Sequence, residues 1–85
     1  MKRHIEITAP DNSIVTKNTK RTDVKYVTIG YGTNWYDEEN NLPARWQLLG
    51  LHKDRVNAEK HIDIFTKYQW TKVRVVKVEP ENIKE

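Results

Sequence analysis

Residues 45–80 read RWQLLGLHKDRVNAEKHIDIFTKYQWTKVRVVKVEP and carry the clearest secondary-structure pattern of the chain. Strands are predicted over residues 44–49 and 72–78, where apolar and β-branched side chains concentrate. Between these strands, apolar and aromatic side chains recur at helical spacing, which predicts a helix over residues 54–68. The positions that share this helical spacing are Ala58, His61, Ile62, Phe65 and Tyr68. The stretch therefore predicts a strand–helix–strand unit.

The sequence of this unit also predicts how its helix begins and how its strands lie in the sheet. Asp54 is the expected N-cap of the helix, because its carboxylate can accept hydrogen bonds from free N–H groups of the first turn. Two strands joined by a helix are usually parallel when they share a sheet, and another strand can lie between them. Valines occupy both faces of the strand over residues 72–78. That strand is expected either to be central and covered on both faces, or to carry a bulge near Val75–Val76.

The remaining sequence predicts shorter elements. Strands are expected over residues 4–8 and 24–31, and one option is a strand that resumes at Trp35–Tyr36. Residues 9–23 are polar and turn-rich and read as a long loop, with a short strand at residues 13–16 as an option. Residues 79–85 form a polar tail that is expected to be frayed. Together these segments predict a single α+β domain over residues 1–85. We expect one sheet of three to five strands with one helix packed on one face, in the order ββ(β)αβ.

Composition restricts the class of protein. The chain has 85 residues, a net charge of +3 and no cysteine, so it is expected to fold as one domain without disulfides or thiolate metal sites. Its beginning lacks the apolar core of a signal peptide, and no apolar run approaches the roughly 20 residues that cross a bilayer. These features predict a cytoplasmic protein that does not bind membranes. The charge balance is only mildly basic, unlike that of a dedicated phosphate binder.

No sequence motif of catalysis or of metal and cofactor binding is found. The three histidines lack a metal-ligand spacing, and the glycines at residues 30 and 32 do not form a phosphate-binding loop. The acidic run from Asp37 to Glu39 lacks the pattern of a calcium loop and is expected to be the solvated tip of a hairpin. We therefore expect neither a catalytic residue nor a metal ion nor a cofactor, and we do not expect an enzyme.

Aromatic residues supply the strongest indication of function. One face of the predicted sheet packs on the helix, and nothing in the sequence is left to cover the other face. An uncovered face with aromatic and basic side chains is typical of a binding surface or a dimer interface. Interface anchors are most often aromatic residues or arginine. The expected partner-binding residues are Tyr31, Trp35, Tyr36 and Arg45.

The order of elements is similar to that of a known group of small proteins. Strands, then an amphipathic helix, then a valine-rich strand that ends in Val78-Glu79-Pro80 resemble the RNA polymerase inhibitors of T7-type phages. This resemblance implies a phage or mobile-element protein that inhibits or redirects a larger host protein by occupying its surface. It carries no diagnostic motif, so it assigns no residue to a site.

Two functions follow from these observations. The leading hypothesis is a non-catalytic protein-binding module whose partner is a larger protein, such as host machinery that handles nucleic acid. The alternative is a nucleic-acid-binding domain that uses an aromatic and basic sheet face. A homodimer is a further option. For nucleic-acid binding, the expected phosphate contacts are Lys17, Lys20, Arg21, Lys25, Arg45, Lys53 and Arg55.

Overall fold

The chain forms two three-stranded antiparallel sheets and two α-helices in the computed structural model, which describes residues 3–67 and 70–84. The elements in chain order are β1 (Arg3–Thr8), β2 (Ile14–Thr19), β3 (Tyr26–Gly32), α1 (Trp35–Glu39), β4 (Arg45–His52), α2 (Arg55–Thr66), β5 (Lys72–Lys77), a 3₁₀ helix (Pro80–Asn82) and β6 (Ile83–Lys84). Within the described residues, neither helix is long and apolar enough to cross a membrane.

The second half of the chain builds one sheet, with strand order β4-β3-β5. Strand β3 is antiparallel to both neighbours, so β4 and β5 are parallel to each other with β3 between them. This arrangement confirms the strand–helix–strand unit predicted from residues 45–80, with α2 as its connection. Helix α2 ends at Thr66, and Tyr68, which the prediction included, lies outside the described residues.

The first half of the chain builds a second sheet, with strand order β2-β1-β6. Its apolar face, with Ile5 and Ile7 from β1, packs against Val27 and Ile29 of β3 to form the main core. Helix α2 packs on the opposite face of β3, where Ala58 is fully buried. The molecule thus has three layers, and the prediction of a single sheet with one uncovered face is wrong. The reason is that β1 pairs with β2 and β6 instead of joining β3.

Two segments predicted to be mainly irregular contain strands, and the first of them, where a short strand at residues 13–16 was one option, contains a longer strand. The predicted loop over residues 9–23 holds all of β2, which forms a hairpin with β1 around a turn in which Asn12 has a φ of 70°. Only Val15 of β2 is buried, because an edge strand packs one face and exposes the other, and this leaves a weak apolar pattern. The predicted frayed tail over residues 79–85 holds the 3₁₀ helix and β6, which pairs with β1. The side-chain amide of Asn82 also donates a hydrogen bond to the backbone carbonyl of Glu6 at 3.0 Å.

The sheet carries a β-bulge, but on a different strand from the one predicted. Register shifts between Thr28 and Ile29 of β3, where β4 contributes the extra residue Leu49. The pairing of β5 with β3 is continuous, so the bulge near Val75–Val76, one of the two alternatives, is wrong. The other alternative, a central strand covered on both faces, is confirmed for the coverage and wrong for the central position. Strand β5 lies at the end of its sheet, not at the centre, and valines occupy both of its faces because a second layer lies on each side. Gly30 fits here because a side chain would place its Cβ only 2.6 Å from Leu49.

Candidate protein-binding surface

Helix α1 begins at a capping box formed by Asn34 and Asp37. The Asn34 side chain accepts from the Asp37 backbone N–H at 2.8 Å, and the Asp37 carboxylate accepts from the Asn34 backbone N–H at 3.1 Å. These reciprocal bonds satisfy donors that the first turn of a helix leaves free. They explain why residues 35–39 form a helix and not the strand that was one option for Trp35–Tyr36.

Asp37 is fully buried and lies at the centre of a polar network. Its carboxylate also accepts from Gln47 Nε2 at 2.6 Å and from the Arg45 guanidinium at 3.2 Å. Burial acts to raise the pKa of Asp37, but the hydrogen bonds from Asn34, Arg45 and Gln47 and the positive charge of Arg45 outweigh it, so the pKa is lowered. The carboxylate is therefore ionised at neutral pH. The prediction that Asp37 lies at a solvated hairpin tip is wrong, because this side chain points into the protein.

The two residues before Asp37 point the opposite way. Trp35 is 69% exposed and Tyr36 is 54% exposed, and their rings meet edge to face with centroids 6.2 Å apart. Leu42, which follows α1 and is also exposed, is held near it because its backbone N–H donates to the Asp37 carbonyl at 2.8 Å. We call Trp35, Tyr36 and Leu42 the α1 patch.

The other two predicted anchors have different surroundings. Arg45 is more than half exposed and lies beside α1 through its ion pair with Asp37. Tyr31 is half-buried and stacks edge to face on the buried Trp46 at 5.8 Å, while the Lys72 ammonium lies 5.5 Å from the Tyr31 ring centre. The structure therefore places Trp35 and Tyr36 side by side on α1, Arg45 against Asp37 of the same helix, and Tyr31 against the core.

A groove adjoins Arg45. It has a volume of about 270 Å³ and is lined by residues 14–17 of β2 and residues 45–48 of β4. Arg21, shortly after β2, donates to the carbonyl of Leu51 near the end of β4 at 3.0 Å, so the two strands run in the same direction along the groove. Ile14 is 56% exposed at one end. We call this feature the edge groove, and Arg45 connects it to α1.

Three arginines among the predicted phosphate contacts hold acidic partners. Arg21 contacts Asp23 at 3.0 Å, Arg45 contacts Asp37 at 3.2 Å and Arg55 contacts Glu59 at 2.9 Å. Arg45 lines the edge groove, Arg21 lies near Leu51 beyond the lining residues, and Arg55 belongs to α2. The exposed lysines of the set are Lys17, Lys20, Lys25 and Lys53. Since these arginines are already paired with carboxylates, phosphate groups would have to compete for them.

Sequence reasoning missed Leu42, Ile14 and the polar side chains that hold α1. The spacing Asn34-x-x-Asp37 is the signal that could have revealed the capping box. No comparable signal marks Ile14 or Gln47, since their positions depend on how the two sheets pack. Among the residues that the structure describes, no group of three His, Asp or Glu side chains could hold a metal ion. Comparison with protein-family models, with curated proteins and with solved structures found no match to this chain.

Proposed function

We propose that this protein is a small binding module that acts by occupying a surface of a larger protein, with the α1 patch as its main contact. The observation that carries the proposal is the exposure of Trp35 and Tyr36 side by side on one short helix. Tryptophan and tyrosine are the residues most often found as interface anchors, because each buries a large area with few rotatable bonds. A module of this kind can inhibit or redirect the larger protein.

The support beneath the patch favours the same function. The capping box and the buried Asp37 network hold α1 on the side chains of Arg45 and Gln47. A surface held in one conformation loses less entropy on binding than a mobile loop does. The exposed rings are therefore presented on a fixed support, although α1 has only five residues.

An affinity capture tests the proposal. The tagged protein is incubated with nuclease-treated bacterial lysate, in parallel with a Trp35→Ala/Tyr36→Ala variant. Because both rings are exposed, the variant should keep its stability to within about 0.5 kcal/mol. We expect a stoichiometric protein partner that the wild type captures and the variant does not.

The matched control is a Val56→Ala/Ile64→Ala variant, which removes two exposed apolar side chains from α2. This control should capture the partner as the wild type does. If both variants lost the partner equally, capture would depend on general surface hydrophobicity and not on the α1 patch. Retention of nucleic acid alone, in samples without nuclease, would contradict the proposal and favour nucleic-acid binding.

A further inference from the structure

The outer edge of β2 carries main-chain groups that are available for pairing. The backbone carbonyl of Glu6 in β1 accepts a hydrogen bond from the side-chain amide of Asn82. Asn82 lies on the β6 side of β1, so this carbonyl points away from β2. Facing residues of an antiparallel pair turn their N–H and C=O groups either both towards or both away from each other. Thr16 faces Glu6 in the β1–β2 register, so its N–H and C=O point away from β1. Strand β2 is the last strand of its sheet, and these groups therefore point into the edge groove.

The alternation of an antiparallel pair extends this argument along β2. Ile14 and Asn18 lie two residues to either side of Thr16 and share its orientation. Strand β2 has six residues, the common length for a strand, and its outer edge is open at these three positions in the part of the chain described. Such an edge can accept one more strand.

The charge of the groove selects the kind of strand. Lys17 and Arg45 line it, and Arg45 is already ion-paired with Asp37 at 3.2 Å. Lys17 is therefore the lining cation that an incoming carboxylate reaches without competing with Asp37. The lining residues, all within the described part of the chain, include no aspartate or glutamate. The exposed Ile14 adds an apolar contact at the end nearest Arg45. These side chains are complementary to a segment that alternates acidic and apolar residues.

We infer that the edge groove binds an extended acidic segment of the partner protein, which adds as a strand to the outer edge of β2. This inference rests on the proposed function and identifies the chemistry of the partner. Main-chain hydrogen bonds to β2 provide affinity, and Lys17 selects acidic side chains. A second copy of this chain fits less well, because its β2 carries no aspartate or glutamate that could pair with Lys17.

The test uses a displayed library of random dodecapeptides, selected on the wild-type protein. We expect enriched peptides that are acidic and rich in β-branched residues. The strongest peptide is then synthesised and its affinity measured for the wild type and for a Thr16→Pro variant. Proline lacks the N–H that would pair with the peptide, and it is tolerated at an edge position whose N–H faces solvent. We expect at least about tenfold weaker binding to this variant, the loss of roughly 1.4 kcal/mol.

A Thr16→Val variant is the matched control, because it keeps the N–H and the β-branched shape. It should bind the peptide as the wild type does. The bound peptide should also slow hydrogen exchange of the Ile14 and Thr16 amides. Should Thr16→Pro fail to fold, a peptide methylated at alternate backbone nitrogens provides the same test on the wild-type protein.

Three results would overturn the inference: no enrichment of any peptide, enriched peptides without acidic character, or equal affinity for wild type and Thr16→Pro. Failure of this inference is distinguishable from failure of the proposed function. If Thr16→Pro captured the partner and Trp35→Ala/Tyr36→Ala did not, the α1 patch would be supported as the contact. Strand addition to β2 would be contradicted.

Discussion

Asp37 shows how one residue connects the sequence to the surface it supports. Its neighbours Trp35 and Tyr36 are exposed, whereas Asp37 is fully buried and accepts hydrogen bonds from three residues. A buried carboxylate is stable only when its charge is compensated, and here Arg45 and Gln47 provide that compensation. The orientation of the exposed rings thus depends on a side chain that does not reach the surface.

At the residue scale, we predict that Asp37→Asn destabilises the protein and loosens α1. Asparagine offers one acceptor oxygen in place of two and directs an NH₂ group at donors that the carboxylate satisfied. The denaturation midpoint at neutral pH should fall, and exchange of the Asn34 and Asp37-position amides should accelerate. Glu39→Gln removes a charge from an exposed position of the same helix and serves as control, with an unchanged midpoint expected.

The lowered pKa of Asp37 also sets the pH dependence of this effect. Unfolded aspartate titrates near a pKa of about 3.9, so Asp37 contributes its stability above that pH. The contribution is lost as the pH falls through the lower pKa of the folded state. The difference in stability between wild type and Asp37→Asn should therefore shrink in acid. A difference that stays constant from neutral pH into this acidic range would contradict the role assigned to the carboxylate.

At the scale of elements, the cap of α2 follows the sequence closely. Asp54 accepts from the Asn57 backbone N–H at 2.8 Å, which confirms the predicted N-cap. Helix α2 covers the face of β3 that the first sheet does not cover. Its first turn is therefore important for the whole layer.

We predict that Asp54→Ala lowers the free energy of unfolding by about 1 kcal/mol, within the range of about 0.5–2 kcal/mol known for lost N-caps. The reason is that the Asn57 N–H loses its acceptor. Urea denaturation followed by circular dichroism measures the change. Asp63→Ala removes a carboxylate from an exposed position in the body of the same helix, and it should have a much smaller effect. Equal effects of the two substitutions would assign the loss to charge and not to capping.

At the scale of the whole molecule, His52 joins the β4-β3-β5 sheet to α2. Its Nε2 lies 2.7 Å from the Thr28 hydroxyl, and its ring lies 5.0 Å from that of His61 on α2. Burial lowers the pKa of His52, and the positive charges of His61 and Arg21 add to that effect, whereas Asp54 opposes it. The layers are therefore packed around a histidine that is neutral at pH 7.

We predict that the protein loses stability as the pH falls below about 6.5, where unfolded histidine takes up a proton and folded His52 does not. A His52→Gln variant should lose less stability over the same range, because it cannot titrate. The measurement is the free energy of unfolding at several values between about pH 7.5 and about pH 5. Val56→Ala is the control, since it changes an exposed side chain that does not titrate, and it should keep the wild-type slope.

Elements that depend on local pattern could be predicted from the sequence. Period-two and helical spacing located β1, β3, β4, α2 and β5. The aspartate that precedes α2, Asp54, was correctly predicted as its N-cap. The same reasoning selected Trp35 and Tyr36, which are exposed side by side on α1, and Arg45, which is ion-paired with Asp37 of that helix. Local rules sufficed there because the relevant interactions join residues a few positions apart, or residues whose spacing repeats along one element.

The number of layers and the position of the site follow from long-range packing and could not be predicted from the sequence. Whether β1 joins β3 or pairs with β2 and β6 depends on contacts between residues far apart in the chain, and no local pattern encodes that choice. The edge groove forms because β2 and β4 are edge strands of their two sheets and lie next to each other. Tyr31 was predicted to lie on an open surface, but it lies at the margin of the core. The reason is that the second sheet covers the face of β3 on which its side chain lies.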